Sequence, residues 1–338
     1  MSFNEYRNVG FIGLGVMGLP MAKNLARKLP DGTKVAVYDL STAAMDELSQ
    51  EFPNKIVKAN NAREVFSHSV SRSYSACTRT RLLKTNIISQ NLIVTMLPEG
   101  KHVSSVYMSS ETQLDSVDLK NKILIDSSTI DVETSLAVAD HVAKIDSSAL
   151  FCDAPVSGQA QGAIDGTLAF FLGISESHGK YKVVSDLVRL MGNKDKVLPC
   201  GGPSLGLVAK ISHNYLAGVM SVATCETMDL GIRAGLDPKM LYRVLCAGAA
   251  RNPMVEHANP VPGLVPTAAS SNGYKPGFRA SLMAKDVSLG VQMAQTYKSN
   301  IVLGAPTMDV YRRALPKYGG YDFTAIYRLY ADDQNGIQ

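Results

Sequence analysis

Two groups of residues in this chain have types and spacings that could do chemistry. The first is Gly13, Gly15 and Gly18 in NVGFIGLGVMGLPMAKNLARKL, followed by Asp39 at the end of KVAVYDL. In a G-x-G-x-x-G turn the first glycine allows a tight bend and the second lets a pyrophosphate approach the backbone. The third lets a helix pack close to a strand, with its first amides facing the phosphates. Asp39 follows Gly18 at about the 20-residue distance where an acidic residue binds the adenosine ribose hydroxyls. An aspartate there repels a 2′-phosphate, so NAD is expected rather than NADP. The second group centres on Lys210 in LGLVAKISHN, an amine in an apolar run. Burial disfavours the ammonium and lowers its pKa. A lysine so placed can take up and return a proton near neutral pH.

These residues need elements to position them. Val9–Ile12 is a short apolar run, as in a buried parallel strand. Further strands are expected in NLIVTMLPEG (91–100), KILIDSSTID (122–131) and ALFCDAPVSG (149–158). In an open α/β sheet, ligands bind at the carboxyl ends of the strands. Met96–Pro98, Ser127–Thr129 and Ser157–Gly158 would then share one rim, although Ser128 or Thr129 could equally cap a helix starting near Asp131. From Ser204 the chain is apolar and proline-free up to Pro238, which predicts a long helix apolar nearly all round and therefore buried. On it Lys210 faces the same way as Gly206, His213, Asn214 and Ala217. No carboxylate lies within a turn or two; the nearest on the helix is Glu226. Helices are also expected over 239–247, 281–297 and 304–315.

The fold class is thus α/β. A Rossmann-type dinucleotide-binding domain over 1–200 is followed by an all-α substrate and dimerisation domain over 201–338, joined through a long interdomain helix. Residues 67–90, rich in Ser and Arg and without helical or strand period at the start, read as a surface insertion.

The 338 residues suffice for two domains. Net charge is only +4, with no basic stripe interleaved with aromatics, so nucleic acid is not an expected partner. No apolar stretch has membrane-spanning length, so no membrane partner is expected. Five scattered cysteines fit a reducing compartment. No zinc-ligand spacing occurs, and no metal is expected. With a strand beginning near Asn8, no presequence is expected in this chain.

With these residues placed, the chain resembles the β-hydroxyacid dehydrogenase family over nearly its whole length. The resemblance is carried by GFIGLGVMGLPMAKNL (10–25), VTMLPEG (94–100), DSSTID (126–131), DAPVSG (153–158), GLVAKISHN (206–214), NPVPG (259–263) and GFRASLMAKDVSLG (277–290). It implies Lys210 as catalytic general base and acid and Asn214 as a substrate-orienting partner. Ser127, Ser157, Gly158 and Gln159 would bind the substrate beside Asn214. NAD contacts would fall on Gly13, Leu14, Gly15, Val16, Met17, Gly18, Asp39, Met96, Leu97, Pro98, Thr129, Phe278 and Lys285. Within the family the chain looks most like members that oxidise (S)-3-hydroxyisobutyrate to methylmalonate semialdehyde in valine breakdown. Alternatives on the same scaffold are tartronate semialdehyde, 3-hydroxypropionate or serine; an alternative of another class is a non-catalytic nucleotide-sensing or scaffold protein. The resemblance also implies a homo-oligomer, dimer or tetramer, in the mitochondrial matrix, with the cytoplasm as alternative. The chain departs from the family at Gln159, where a second glycine is usual, and at His213, where an asparagine is usual. The His213–Asn214 pair is similar to that of 6-phosphogluconate dehydrogenase, which has a tyrosine where Gly218 stands.

Overall fold

A computed structural model describes residues 8–67 and 92–331. Apart from Ser67, the expected 67–90 insertion lies outside the described residues. The chain forms two compact units, the first up to Ala209 and the second from Lys210.

The first unit opens with β1 (Asn8–Ile12), α1 (Gly18–Lys28), β2 (Lys34–Tyr38), α2 (Thr42–Glu51), β3 (Ile56–Lys58) and α3 (Ala62–Ser67). It continues with β4 (Leu92–Thr95), α4 (Gly100–Met108), β5 (Ile123–Asp126), α5 (Val132–Ile145) and β6 (Leu150–Asp153). These strands form one sheet in the order β3-β2-β1-β4-β5-β6, and every pairing is parallel. The strand order reverses between β1 and β4, which puts a ligand crevice at their carboxyl ends. All four residues of β4 and of β5 are buried, as central parallel strands require when both faces are covered.

One expectation fails here. Ser157 does not end a strand of the main sheet. After β6 the chain starts β7 (Val156–Ser157), which with β8 (Leu168–Leu172) and β9 (Gly192–Pro199) makes a separate three-stranded sheet. Ser157 pairs there with Ala169. A two-residue strand leaves no periodicity to read, and β9 alternates too weakly to announce itself. Helices α6 (Gln159–Asp165) and α7 (Tyr181–Val188) lie between these strands in sequence. Neither Ser128 nor Thr129 caps α5: Asp131 does, its carboxylate accepting from the Thr134 amide at 2.7 Å.

Helix α8 (Leu205–Arg233) begins in the first unit and runs on in the second. Its first turn is held by the buried Asp153 at the end of β6. One carboxylate oxygen accepts from the Ser204 amide at 2.7 Å and the other from Leu207 at 2.8 Å. Satisfying first-turn donors in this way is what a buried helix start needs. The expectation that α8 is buried all round is corrected, because Leu216 and Leu230 are 56% and 71% exposed. The second unit adds α9 (Pro238–Ala247), α10 (Pro253–Glu256), α11 (Ala280–Thr296), α12 (Gly304–Tyr318) and α13 (Arg328–Ala331). Its core brings Cys225 and Met228 of α8 together with Met283 and Val287 of α11 and Tyr311 of α12.

The glycine turn yields a stability test. Alanine usually stabilises a helix over glycine by roughly 0.5–1 kcal/mol. At Gly18, however, a Cβ would lie 1.9 Å from the Gly13 carbonyl oxygen. Gly18→Ala is therefore expected to destabilise by about 1–3 kcal/mol in chemical denaturation. A more stable variant would contradict this close packing.

Candidate active site

At the carboxyl edge of the main sheet, Gly13 has φ +93°, and a Cβ there would meet the Met96 carbonyl oxygen at 2.3 Å. Gly15 has open space where a Cβ would project. The turn is therefore bare at the position where a pyrophosphate would approach, and sterically closed where strand, loop and helix meet. This is the division of labour a dinucleotide needs from three glycines. Val16, beside Gly15, is exposed, as is Leu40, beside Asp39.

Asp39 follows β2, half-buried. One of its oxygens accepts from the Leu14 amide at 2.6 Å and the other from Ser41 at 2.7 Å. The first bond ties the glycine turn to the end of β2, a role not read from the sequence. Each carboxylate oxygen keeps a further lone pair for a ribose hydroxyl, so the residues present fit the dinucleotide.

The next strands bring their loops to the same edge. Met96 and Leu97 are half-buried and Pro98 is exposed. Ser127 is buried and its Oγ has no hydrogen-bond partner among the described residues, while Thr129 is half-buried. Ser157, in the separate three-stranded sheet, is half-buried and followed by the exposed Gly158 and Gln159. Gly158 has φ +141° and Gln159 has φ +58°. The backbone at Gln159 thus follows the left-handed path that a glycine would take at no steric cost.

The second unit gathers a different set of groups. Lys210 is buried at 7% exposure. Burial lowers its pKa from 10.5 to about 8, the Asp286 carboxylate opposes that shift, and Lys285 adds to it. The carboxylate charge that opposes the burial of Lys210 therefore comes from α11 rather than α8. Asp286 is the residue the sequence analysis missed. The signal was present, since it stands beside Lys285 in a quoted motif, but only packing brings it to Lys210.

Asp286 also fixes Asn214. The Asn214 Nδ2 donates to Asp286 Oδ2 at 2.6 Å. A carboxylate accepts only, so the amide nitrogen must face it and Asn214 Oδ1 must face the other way. That oxygen lies 2.9 Å from His213 Nδ1, which makes the imidazole the donor. His213 is itself exposed, unlike Gly206, Asn214 and Ala217 on the same helix. Lys285 Nζ lies 3.2 Å from Asp286 Oδ1. Phe278 packs edge-on to Phe323, with ring centroids 6.5 Å apart. Phe278 and Lys285 belong to the unit of Lys210 rather than to that of the glycine turn.

Comparison with known proteins gives a consistent result. A model of the NAD-binding domain of 6-phosphogluconate dehydrogenase matches residues 8–202. A model described as NAD-binding of NADP-dependent 3-hydroxyisobutyrate dehydrogenase matches residues 205–330. The chain is 35% identical to a mitochondrial 3-hydroxyisobutyrate dehydrogenase of Mus musculus, over 96% of this chain and 88% of that protein. It is 34% identical to a 3-hydroxyisobutyrate dehydrogenase of Pseudomonas aeruginosa, over 96% of this chain and 98% of that one. The solved structure of Mycobacterium tuberculosis 3-hydroxyisobutyrate dehydrogenase with L-serine superposes with a TM-score of 0.81 at 27% identity. That match covers 96% of this chain and 99% of the other.

The buried lysine makes a testable statement about pH. Between about pH 8 and 10.5 the unfolded chain binds more protons at this position than the folded one. The cost of burying the ammonium is therefore full below pH 8 and fades as pH rises towards 10.5. Lys210→Met keeps an apolar stem and removes the charge. It is expected to stabilise the protein by on the order of 2 kcal/mol at neutral pH and by little near pH 10.5, in urea melts at both. No gain at neutral pH would mean that the ammonium is not held at a cost.

Proposed function

Since the chain belongs to the β-hydroxyacid dehydrogenase family and is an NAD(P)-dependent oxidoreductase, we propose that it oxidises (S)-3-hydroxyisobutyrate to methylmalonate semialdehyde, with NAD as cofactor and Lys210 as general base. The observation that carries this is the buried Lys210, lowered to about 8 beside an Asn214 locked by Asp286. A lysine at its ordinary 10.5 is protonated at neutral pH and cannot accept a proton; one near 8 is partly neutral and can.

The nicotinamide, when bound, supplies the hydride acceptor for the carbinol carbon. Gly13–Gly18 and Asp39 hold its dinucleotide, with Met96, Leu97, Pro98, Thr129, Phe278 and Lys285 as further contacts. Lys210 Nζ takes the hydroxyl proton during oxidation and returns it in the reverse direction. Asn214 orients the hydroxyl, because its own orientation is fixed by Asp286. Ser157 and the loop amides at Gly158 and Gln159 hold the carboxylate, with Ser127 a further substrate contact, so that hydride and proton leave from fixed positions. Serine is the second reading, favoured by the solved relative that holds L-serine. The mitochondrial relatives favour a matrix setting. The resemblance to the family favours a homo-oligomer, dimer or tetramer.

A panel of hydroxyacids with NAD and NADP tests the substrate and cofactor. The value of kcat/KM for (S)-3-hydroxyisobutyrate with NAD should exceed that for 3-hydroxypropionate, serine or glycerate, the alcohol whose oxidation gives tartronate semialdehyde, by at least about tenfold. It should rise with pH through about 8 and level off above it. Lys210→Ala should lose about 10²–10⁴-fold in kcat and still bind NADH. Lys210→Arg should not rescue, because a guanidinium stays protonated. Near-normal activity per folded molecule in Lys210→Ala would remove the catalytic assignment.

Asp39 carries the nucleotide preference in a separate test. NAD should be preferred over NADP by at least about tenfold in kcat/KM. Asp39→Ala should narrow that gap and also weaken NADH binding, since the Leu14 amide loses its acceptor. Equal use of NADP by the unaltered protein would overturn the role given to this carboxylate.

A further inference from the structure

On the premise that the Met96–Pro98 loop contacts NAD, we propose that Ser128, oriented by the buried Asp126, is a positioning residue that holds this loop in its dinucleotide-binding shape. Ser128 Oγ donates to Asp126 Oδ1 at 2.6 Å and accepts from the Leu97 amide at 2.9 Å. The direction of both bonds is fixed. Asp126 Oδ1 also accepts from Thr95 Oγ1 at 2.7 Å and from the Ser128 amide at 3.3 Å. An oxygen so surrounded by donors has no proton to give, so the Ser128 hydroxyl hydrogen must point to it. The Ser128 lone pairs are left for Leu97. Because Thr95 spends its hydrogen on Asp126, the Tyr107 hydroxyl, 3.1 Å away, is the donor to Thr95. Asp126, Ser128 and Thr95 are all 0% exposed.

The loop is gripped from its other side by the glycine turn. The Met96 amide continues the sheet ladder to the Ile12 carbonyl at 2.9 Å. A Cβ on Gly13 would lie 2.3 Å from the Met96 carbonyl oxygen and 3.0 Å from Leu97 Cδ2. The backbone of Met96–Leu97 thus sits between Gly13 and Ser128, and a shift at either edge changes what the loop presents. Ser128 is not occupied as a helix cap, since Asp131 fills that place for α5. Its hydroxyl therefore links one buried carboxylate to one loop amide.

The test compares three single variants of the full chain by direct NADH titration, following nucleotide fluorescence, with the melting temperature of each. Ser128→Ala removes the acceptor of the Leu97 amide. It is expected to weaken NADH binding by about tenfold, while the hydroxyacid KM at saturating NAD changes by less than about twofold. Ser128→Thr keeps the hydroxyl and should restore most of the NADH affinity. Thr95→Val is nearly isosteric and removes a different donor to the same carboxylate. It should lower the melting temperature and leave NADH affinity within about twofold. If Ser128→Ala binds NADH as the parent does, or if Thr95→Val weakens binding equally, Ser128 has no positioning role. A parent protein that binds no NADH would instead overturn the cofactor assignment itself, which separates the two failures.

Discussion

The second unit depends on one constraint: an ammonium held out of water. A buried charge is costly unless other groups answer it, and α8 offers Lys210 no carboxylate within reach along its own sequence. The answer comes from Asp286 on α11, a helix fixed against α8 and α12 by the core around Met228, Val287 and Tyr311. Asp286 tempers the desolvation of Lys210 without cancelling it, so the lysine stays lowered, at about 8. The same carboxylate, by accepting from Asn214 Nδ2, fixes which end of that amide faces which neighbour. One acidic side chain thus sets a charge and an orientation.

The first unit uses buried carboxylates in a related way. Asp126 and Asp153 end neighbouring strands and pair in register. Asp126 collects hydroxyl donors and, through Ser128, fixes a loop amide. Asp153 accepts two amides at the start of α8. Burial raises both carboxyls above their ordinary values, and the hydrogen bonds they accept pull the other way. Glycines mark where other atoms come too close for a side chain: at Gly173 a Cβ would fall 1.7 Å from Asp153 Oδ1. Backbone shape at the carboxyl edge is therefore set by a few acceptors and by the absence of a few Cβ atoms.

Much of this was legible in the residues. Short apolar runs ending in glycine, proline or serine announced β1, β4 and β5 and the edge where their loops gather. The apolar run after Ser204 announced α8, and α9, α11 and α12 fall where helices were expected. These signals are local, because strands, helices and phosphate turns write their requirements into neighbouring residues. The small sheet was not legible, since β7 is two residues long and pairs with a strand that starts eleven residues further on. Asp131 as the cap of α5 and the exposed leucines of α8 also went unread, because capping choice and helix exposure depend on what packs nearby.

By itself the sequence determined the glycine turn, the acidic residue after β2 and the presence of an amine in an apolar helix. Only the tertiary structure decided what those groups touch. Asp39 accepts from the Leu14 amide of the turn, and the carboxylate that opposes the desolvation of Lys210 is Asp286, 76 positions further along the chain. The physical reason is that a hydrogen bond or a charge interaction requires two groups within a few ångströms. Sequence spacing fixes that distance within a turn of helix or along a strand, whereas between elements only their packing does.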